Sequence, residues 1–295
     1  MRRPPFEGVI LLKQKLRVLL ITGRVVKEHD YRRINELLRR MLESTGRFDV
    51  RITESFTGST AKSLEEYDLV LLNYDGRNWL SEPEFVYWDD IAFQALYDFV
   101  GGGKGIVFYH SSFSLGPETP DEYLRMMGGG HDLTTGGGHN PKGDYTVHFS
   151  DGEHPITRGL KRDWFIVGDD MLPVITWHPK AKPHILATVF DSVEDYNVPG
   201  WPPQYMIHRL ADGDPAKMPE INTDQPVAWT NEYDKGRVFV VTIGHDIDTL
   251  RRLNYLVMFV RGCEWAATGK VTLDVPDRTG DNRLIPWPYY NGEEQ

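Results

Sequence analysis

The feature that most constrains how this chain folds is a series of apolar runs separated by helix-like segments. LRVLLIT, YDLVLLNYD, GIVFYH and RVFVVTIG, which begin at residues 16, 67, 105 and 237, are rich in β-branched and large apolar residues. Such continuous runs are typical of strands that are buried on both faces. Because helices on both faces of a parallel sheet provide that burial, the pattern predicts an α/β domain with right-handed crossovers.

Helical periodicity fills the intervals between these strands. Apolar residues recur every three or four positions in YRRINELLRRMLES (31–44) and in WDDIAFQALYDFVGGGKG (88–105), and glycines close both segments. RFDVRIT (47–53) predicts one more strand, and TLRRLNYLVMFVRGCEWAA (249–267) predicts a closing helix. Strands and helices therefore alternate along the first hundred residues, as a parallel sheet requires.

The middle of the chain, from about residue 111 to residue 225, is less regular and contains most of the histidines. We expect a short helix in DEYLRMMGG, strands in GDYTVHFS and PHILATVF, and a hairpin around Asp234-Lys235-Gly236. Residues 1–15 are interpreted as an N-terminal extension, 16–270 as a single domain and 271–295 as a C-terminal arm rich in proline and aromatic residues.

Composition limits the partners of this protein. The chain has 43 acidic and 33 basic residues and a net charge of −10, so it lacks the broad positive surface that nucleic acids or anionic membranes require. Cys263 is its only cysteine, which excludes an internal disulfide framework and a thiolate-rich metal site. No run approaches the roughly 20 apolar residues of a membrane span, and the N-terminus is a poor signal peptide. We therefore expect a soluble, cytoplasmic protein.

Three of the predicted strands lead into histidine at their carboxyl ends. His29 follows the first strand, His110 the fourth and His245 the last. The carboxyl ends of parallel strands gather at one edge of the sheet, where ligands bind. Histidine serves there as a metal ligand or as an acid or base near neutral pH. The alternative is that each histidine caps a helix or bonds a loop carbonyl.

Carboxylates and serines accompany these histidines. Asp30, Asp75 and Asp246 are candidates for orienting the imidazole rings or for ligating beside them. Ser111 and Ser112 stand where a hydrolase would carry its nucleophile, but such an elbow needs small residues two positions away on either side. Aromatic residues flank Ser111 at that spacing, and a histidine precedes Ser112. Helix N-capping is therefore the favoured role of both serines.

The middle region adds weaker candidates for substrate contacts. His131 and His139 lie between glycine triplets, which allow a backbone to approach a ligand closely. Their spacing matches no zinc motif. Trp201 and other aromatic residues suit the apolar faces of sugar rings. The chain has neither the GxGxxG nor the GxxxxGK[ST] motif, so no nucleotide cofactor is expected.

An ordered set of motifs resembles the ThuA-like (trehalose utilisation) family. These motifs are ITG…HDY, GGGKGIVFYHSS, EHPITRGL, PVAWTNEYDKGRVFVVTIGHD and VRGCEWAA, and they extend from about Leu16 to Ala267. The resemblance implies the flavodoxin-like sheet of class I glutamine amidotransferases, a role in sugar catabolism, and functional histidines at the positions of His29, His110 and His245. It also implies that TIGHDID replaces the catalytic HPE of true amidotransferases. Because no cysteine stands at the elbow and Ile247 replaces the glutamate, we do not expect glutamine hydrolysis.

The leading hypothesis is a protein that binds a sugar or keto-sugar at these strand ends. His110, His245 and Asp246 are the candidate catalytic residues, and all three strand-end histidines are candidate ligands of one divalent metal, zinc or manganese. The candidate substrate-binding residues are His29, Asp75, Ser111, His131, His139 and Trp201. A sugar-modifying enzyme, a serine- or water-using hydrolase and a non-catalytic carbohydrate-binding or regulatory protein remain alternatives. A homo-oligomer is compatible with each of them.

Overall fold

One mixed sheet of nine strands organises the computed structural model, which describes residues 14–25, 29–77, 85–134, 139–198, 211–212, 214–277 and 284–285. The strands of these described segments are β1 (Leu16–Ile21), β2 (Phe48–Thr53), β3 (Leu69–Leu72), β4 (Gly105–Tyr109), β5 (Ser114–Leu115), β6 (Gly129–Asp132), β7 (Gly143–Phe149), β8 (Asp163–Asp169), β9 (Ile175–Trp177), β10 (His184–Asp191), β11 (Thr223–Tyr233) and β12 (Gly236–Val241). The helices are α1 (Tyr31–Glu43), α2 (Ala61–Leu64), α3 (Asp90–Gly101), α4 (Asp121–Met127), α5 (Ile247–Leu250) and α6 (Leu253–Thr268). Short 3-10 helices span His110–Phe113, Val193–Tyr196 and Pro215–Lys217.

The large sheet consists of two parts with different strand directions. Five neighbouring strands run parallel in the order β2-β1-β3-β4-β12, and we call them the parallel half. β11, β10, β7 and β8 continue the sheet with antiparallel pairing and form the antiparallel extension. A separate small sheet has the order β5-β6-β9. The parallel half has the strand order of flavodoxin-like folds, in which the direction of strand addition reverses between β1 and β3.

The predicted α/β class is confirmed, with a core on each face of the parallel half. In β1, Val18 and Leu20 belong to a core that also contains residues of α1 and α6. The alternate residues Leu19 and Ile21 belong to a second core, which contains residues of α3 and α4. Because successive strand residues point to opposite faces, an uninterrupted apolar run fills both cores at once.

The predicted closing helix is α6, and it packs tightly against the parallel half. A Cβ atom on Gly105, at the start of β4, would lie 2.4 Å from the carbonyl carbon of Ala266. Glycine at this position therefore allows the helix to approach the strand. The helix ends at Gly269, which has a φ of 73°.

The antiparallel extension contains the predicted strands of the middle region and one strand that the sequence did not indicate. β7 and β10 coincide with the two predicted segments, and β11 and β12 form the predicted hairpin, with Tyr233 opposite Gly236. β8 was missed because its sequence, DWFIVGD, is short and has charged residues at both ends. Exposed and buried residues alternate along most of β8, so it is covered on one face.

Residue 285 of the C-terminal arm contacts the residue that ends α5, just before α6 begins. Ile285 is fully buried, and its N–H donates a hydrogen bond to the carbonyl oxygen of Arg251 at 3.0 Å. Nε of Arg251 donates in return to the carbonyl oxygen of Ile285 at 2.8 Å. Among the described residues, no helix has the length and apolarity that crossing a bilayer demands.

Candidate functional site

Three histidines meet at the carboxyl ends of the parallel strands. His29 lies in the loop after β1, His110 directly follows β4 and His245 follows β12. The ring centroid of His29 lies 4.8 Å from that of His110 and 4.4 Å from that of His245. The ring centroids of His110 and His245 are 5.2 Å apart. One potential ligand nitrogen from each ring lies within 4.8 Å of the other two. We call these three residues the histidine cluster.

Each ring of the histidine cluster has a partner for one of its nitrogens. Nδ1 of His110 lies 2.6 Å from the carbonyl oxygen of Thr242, to which it donates. Its Nε2 faces Nε2 of His29 at 3.3 Å, and Nδ1 of His29 lies 3.4 Å from Oγ of Ser111. Nδ1 of His245 lies 2.7 Å from Oδ2 of Asp170. These contacts leave one nitrogen of each ring to face the interior of the cluster.

His110 occupies a strained turn at the end of its strand. Its φ of 43° is in the left-handed region, which is rare for residues other than glycine. The hydroxyl of the preceding Tyr109 donates to the carbonyl oxygen of Gly244, which ties the end of β4 to the loop after β12. Strain of this kind costs about 1–3 kcal/mol and persists only where the surroundings enforce it.

The sequence did not indicate Asp169 and Asp170, which hold His245 from the end of β8. Both carboxylates are buried. Oδ2 of Asp169 accepts from the N–H of Gly244 at 2.9 Å, and its Oδ1 accepts from the N–H of His245 at 3.0 Å. Asp169 therefore fixes the backbone of the loop, while Asp170 contacts the imidazole ring. A pair of adjacent aspartates at the end of an apolar stretch was the only available signal.

Burial controls the charge of the site. Burial lowers the pKa of His110 to about 3, and burial together with the neighbouring His110 and His245 lowers the pKa of His29 well below its usual value. Burial, reinforced by the charge of Asp170, raises the pKa of Asp169 to about 6. Burial alone would also raise the pKa of Asp170, but its close contact with His245 outweighs burial and lowers that pKa below its usual value. His29 and His110 are consequently neutral near pH 7 and present lone pairs.

Asp30 and Asp246 do not orient the histidines, contrary to expectation. The carboxylate of Asp30 caps α1 by accepting from the N–H of Arg33 at 3.3 Å. The carboxylate of Asp246 caps α5 by accepting from the N–H of Asp248 at 3.1 Å. Both are adjacent in sequence to a histidine of the cluster, but one oxygen of each carboxylate caps a helix instead of contacting an imidazole ring. The carboxylate that lies against the ring of His245 is that of Asp170.

Asp75 and the two serines lie at the ends of β3 and β4. The buried carboxylate of Asp75 accepts from Nη2 of Arg77 at 2.9 Å and from its backbone N–H at 2.9 Å. Oγ of Ser112 donates to the carbonyl oxygen of Leu72 at 2.9 Å and accepts from the N–H of Tyr74, which links β4 to β3. The expectation that either serine caps a helix is wrong, since both lie inside the 3-10 helix that begins at His110.

The remaining candidates of the middle region lie at different distances from the histidine cluster. His139 lies at its edge, with its ring centroid 6.4 Å from that of His245 and its Nδ1 3.5 Å from Oδ2 of Asp170. His131 is buried in β6, where its Nδ1 lies 3.1 Å from the carbonyl oxygen of Pro173. Trp201 lies outside the described residues.

A small aromatic cavity opens at the ends of β3 and β4. Its walls include Tyr74, Tyr87, Trp88, Phe93 and Tyr123, and polar groups of Asp75, Ser112 and Thr119 also reach it. Ser112 is the neighbour of Ser111, which contacts His29. The cavity and the histidine cluster thus begin at the same strand ends.

Comparison with known proteins identifies relatives of the whole domain. The model of the ThuA family, described as trehalose utilisation, matches residues 17–266. A ThuA-like protein from Parabacteroides merdae has a similar structure, with a TM-score of 0.72, 22% identity, and coverage of 96% of this chain and 100% of that one. A ThuA-like protein from Bacteroides uniformis has a TM-score of 0.60, 16% identity, and coverage of 87% and 93%.

A cytoplasmic protein from Salmonella typhimurium is a more distant structural relative. Its TM-score is 0.51 at 12% identity, with coverage of 85% of this chain and 99% of that one. At such identities the structural likeness establishes the fold alone. Among proteins of curated function, none matches this sequence significantly.

Proposed function

Because this chain belongs to the ThuA family, whose model is described as trehalose utilisation, we propose that it binds a sugar or keto-sugar at the histidine cluster. In this proposal His29, His110 and His245 together hold one divalent cation, zinc or manganese. The sugar occupies the side of the cluster on which His245 and His139 reach solvent, with 12% and 22% of their side chains exposed.

The observation that carries the proposal is the convergence of three imidazole rings, of which His29 and His110 are neutral near pH 7. Two ligands bound tetrahedrally at about 2.0–2.1 Å are separated by about 3.3–3.4 Å. The Nε2 atoms of His29 and His110 lie 3.3 Å apart. Two nitrogen lone pairs at that distance repel each other unless a proton or a cation lies between them. The spacing of this pair fits tetrahedral coordination, while the three ligand nitrogens together lie within 4.8 Å of one another. Imidazole donors suit zinc, whereas manganese favours oxygen ligands, so zinc is the better fit of the two ions.

The residues around the cluster would prepare it for such an ion. When bound, a divalent cation polarises a carbonyl oxygen or acidifies a water molecule. Thr242 and Asp170 hold the rings of His110 and His245 in one orientation each. The buried Asp170 carboxylate also supplies negative charge that offsets part of the charge of a cation. Aromatic residues of the neighbouring cavity suit the apolar face of a sugar.

Metal analysis and sugar titration test the proposal. Protein purified without a histidine tag should contain close to one zinc or manganese ion per chain by plasma mass spectrometry. A keto-sugar should then bind to the metal-loaded protein more tightly than to chelator-treated protein, measured by calorimetry. Metal-free protein that binds the sugar equally well would refute the role of the metal and favour a non-catalytic carbohydrate-binding protein.

A serine hydrolase remains the second candidate because Ser111 contacts a histidine. Oγ of Ser111 lies 3.4 Å from Nδ1 of His29, which is a loose version of a nucleophile–base contact. However, the other nitrogen of His29 faces His110, whereas a serine hydrolase places a carboxylate there. Loss of more than about a thousandfold of a sugar-directed activity in a folded Ser111→Ala variant would favour this candidate.

A further inference from the structure

We propose that Asp170 is a positioning residue of the histidine cluster. Its carboxylate holds His245 in the tautomer that has the proton on Nδ1. Nε2 of His245 then carries the lone pair for the site. The inference rests on the proposed function, since it assigns to Asp170 the orientation of one of the three ligands.

The contact between Asp170 and His245 is short and shielded from water. Oδ2 of Asp170 lies 2.7 Å from Nδ1 of His245, and 1% of the Asp170 side chain is exposed. Both of its carboxylate oxygens are shielded from solvent and have no aligned hydrogen-bond donor in this arrangement, so the pair is held by proximity and charge, and a small turn of the imidazole ring would complete the hydrogen bond. An ionised carboxylate only accepts hydrogen bonds, and a neutral imidazole has one N–H to donate. The proximity of the carboxylate therefore favours the tautomer of His245 that carries its proton on Nδ1, the nitrogen that faces Asp170.

The backbone around Asp170 keeps this carboxylate in place. On one side, Asp169 binds the N–H groups of Gly244 and His245. On the other side, the N–H of Met171 donates to Oδ1 of Asn140 at 2.7 Å, and the N–H of Asn140 donates to the carbonyl oxygen of Met171 at 3.2 Å. The main chain on both sides of Asp170 is thus fixed, which leaves rotation about the bonds of its own side chain as the only way for the carboxylate to move away from His245.

An aspartate at each end of β8, Asp163 at its start and Asp170 directly after its last residue, provides a matched comparison. Asp163, the first residue of β8, also contacts a histidine: its Oδ1 lies 2.6 Å from Nδ1 of His148. That pair is exposed, with 39% of the His148 side chain and 57% of the Asp163 side chain accessible. Asp170→Asn and Asp163→Asn therefore make the same change in a buried and in an exposed carboxylate–histidine pair.

The experiment measures the tautomer of His245 in metal-free protein and the affinity of the protein for zinc. Two-bond proton–nitrogen NMR spectra report which ring nitrogen is protonated, and a His245→Gln variant identifies the signals of His245. Wild-type protein and Asp163→Asn should show His245 protonated on Nδ1. Asp170→Asn should show a mixture of tautomers and bind zinc about 10–100-fold more weakly, as is usual when a carboxylate behind a metal-bound histidine is removed.

The possible outcomes separate this inference from the proposed function. Wild-type His245 protonated on Nε2, or an Asp170→Asn variant with the wild-type tautomer and zinc affinity, would overturn the role of Asp170. Wild-type protein with the Nδ1 tautomer and no zinc affinity would support Asp170 and reject the metal site. Asp170→Glu keeps the charge, so it should restore more of the Nδ1 tautomer than Asp170→Asn. If Asp170→Asn does not fold, the wild-type and Asp170→Glu spectra decide the question.

Discussion

The parallel half and the antiparallel extension contribute different parts of the candidate site. Each strand of the parallel half that ends at the site is mostly apolar and is buried at the end that leads to the site, and the loops that follow carry the histidines. β8 of the extension is buried on one face, and its end carries Asp169 and Asp170. The parallel half thus supplies the candidate ligands, while the extension supplies the groups that hold one of them in position.

This difference shows why the site depends on both parts of the sheet. His29 and His110 lie at the ends of β1 and β4, whose positions are set by parallel pairing through β3. His245 lies in a loop whose backbone is bound by Asp169, 76 residues earlier in the chain. Damage to the extension should therefore affect His245 and leave the other two histidines in place.

Removal of Asp169 is expected to have the largest effect, because it breaks the connection between the two parts. Asp169→Ala leaves the N–H groups of Gly244 and His245 without their acceptor in a buried position. An unsatisfied buried donor costs about 1–3 kcal/mol, so the free energy of unfolding should fall by about 2–6 kcal/mol. Urea denaturation measures this change. Asp163→Ala, at the exposed end of the same strand, should lower it by less than about 1 kcal/mol.

Removal of a ligand from the parallel half should affect metal binding more than folding. His110→Ala deletes one of the three proposed metal ligands. Because loss of a group that only orients a ligand already lowers metal affinity by about 10–100-fold, loss of a ligand itself should lower it further. Zinc affinity should therefore fall by more than about 100-fold, or about 2.7 kcal/mol, in a competition titration. Circular dichroism of the same sample establishes whether the fold is retained. A folded variant with wild-type zinc affinity would contradict the assignment of His110 as a ligand.

Acidification should weaken the metal-free protein through the histidines of the parallel half. The pKa of His110 is about 3 in the folded protein against an ordinary value of 6.5, so between these pH values the unfolded chain binds a proton that the folded chain does not. The free energy of unfolding then falls as the pH falls, by up to about 1.4 kcal/mol per pH unit for this residue. Urea denaturation between pH 4.5 and 6.5 should give a smaller slope for His110→Gln than for wild type.

Asp169 changes the same slope in the opposite direction. Its pKa is raised to about 6 from an ordinary value of 3.8, so the folded protein binds the extra proton in that interval and loses stability as the pH rises. The difference between wild type and His110→Gln isolates the contribution of the imidazole, because Asp169 is present in both. Equal slopes for the two proteins would show that His110 is protonated as readily in the folded state as in the unfolded state.

The smallest effect is expected for the serine beside the cluster. Ser111→Ala removes a contact of 3.4 Å to His29, which is close to the longest distance at which a hydrogen bond forms. Zinc affinity and any sugar-directed activity should therefore remain within about tenfold of wild type, corresponding to less than about 1.4 kcal/mol. A much larger loss would mean that Ser111 acts on the substrate itself.

Much of the fold and part of the site could be predicted from local patterns. The apolar runs indicated the four strands of the parallel half that contain them, and the helical periodicities indicated α1, α3 and α6. Histidine after a buried strand indicated residues that meet in space, since parallel strands deliver their carboxyl ends to one edge of the sheet. By contrast, adjacency in sequence suggested Asp30 and Asp246 as orienting carboxylates, and both instead cap helices.

The amino-acid sequence by itself determined which segments become buried parallel strands and that three histidines follow them. Apolar periodicity and the right-handedness of crossovers are properties of short segments and of consecutive elements, so both can be read along the chain. Only the tertiary structure decided that β8 lies at the far edge of the sheet and that its last residues contact His245. The pairing of β8 with β7, and the contact of its last residue with the loop after β12, depend on long-range contacts that no local pattern records.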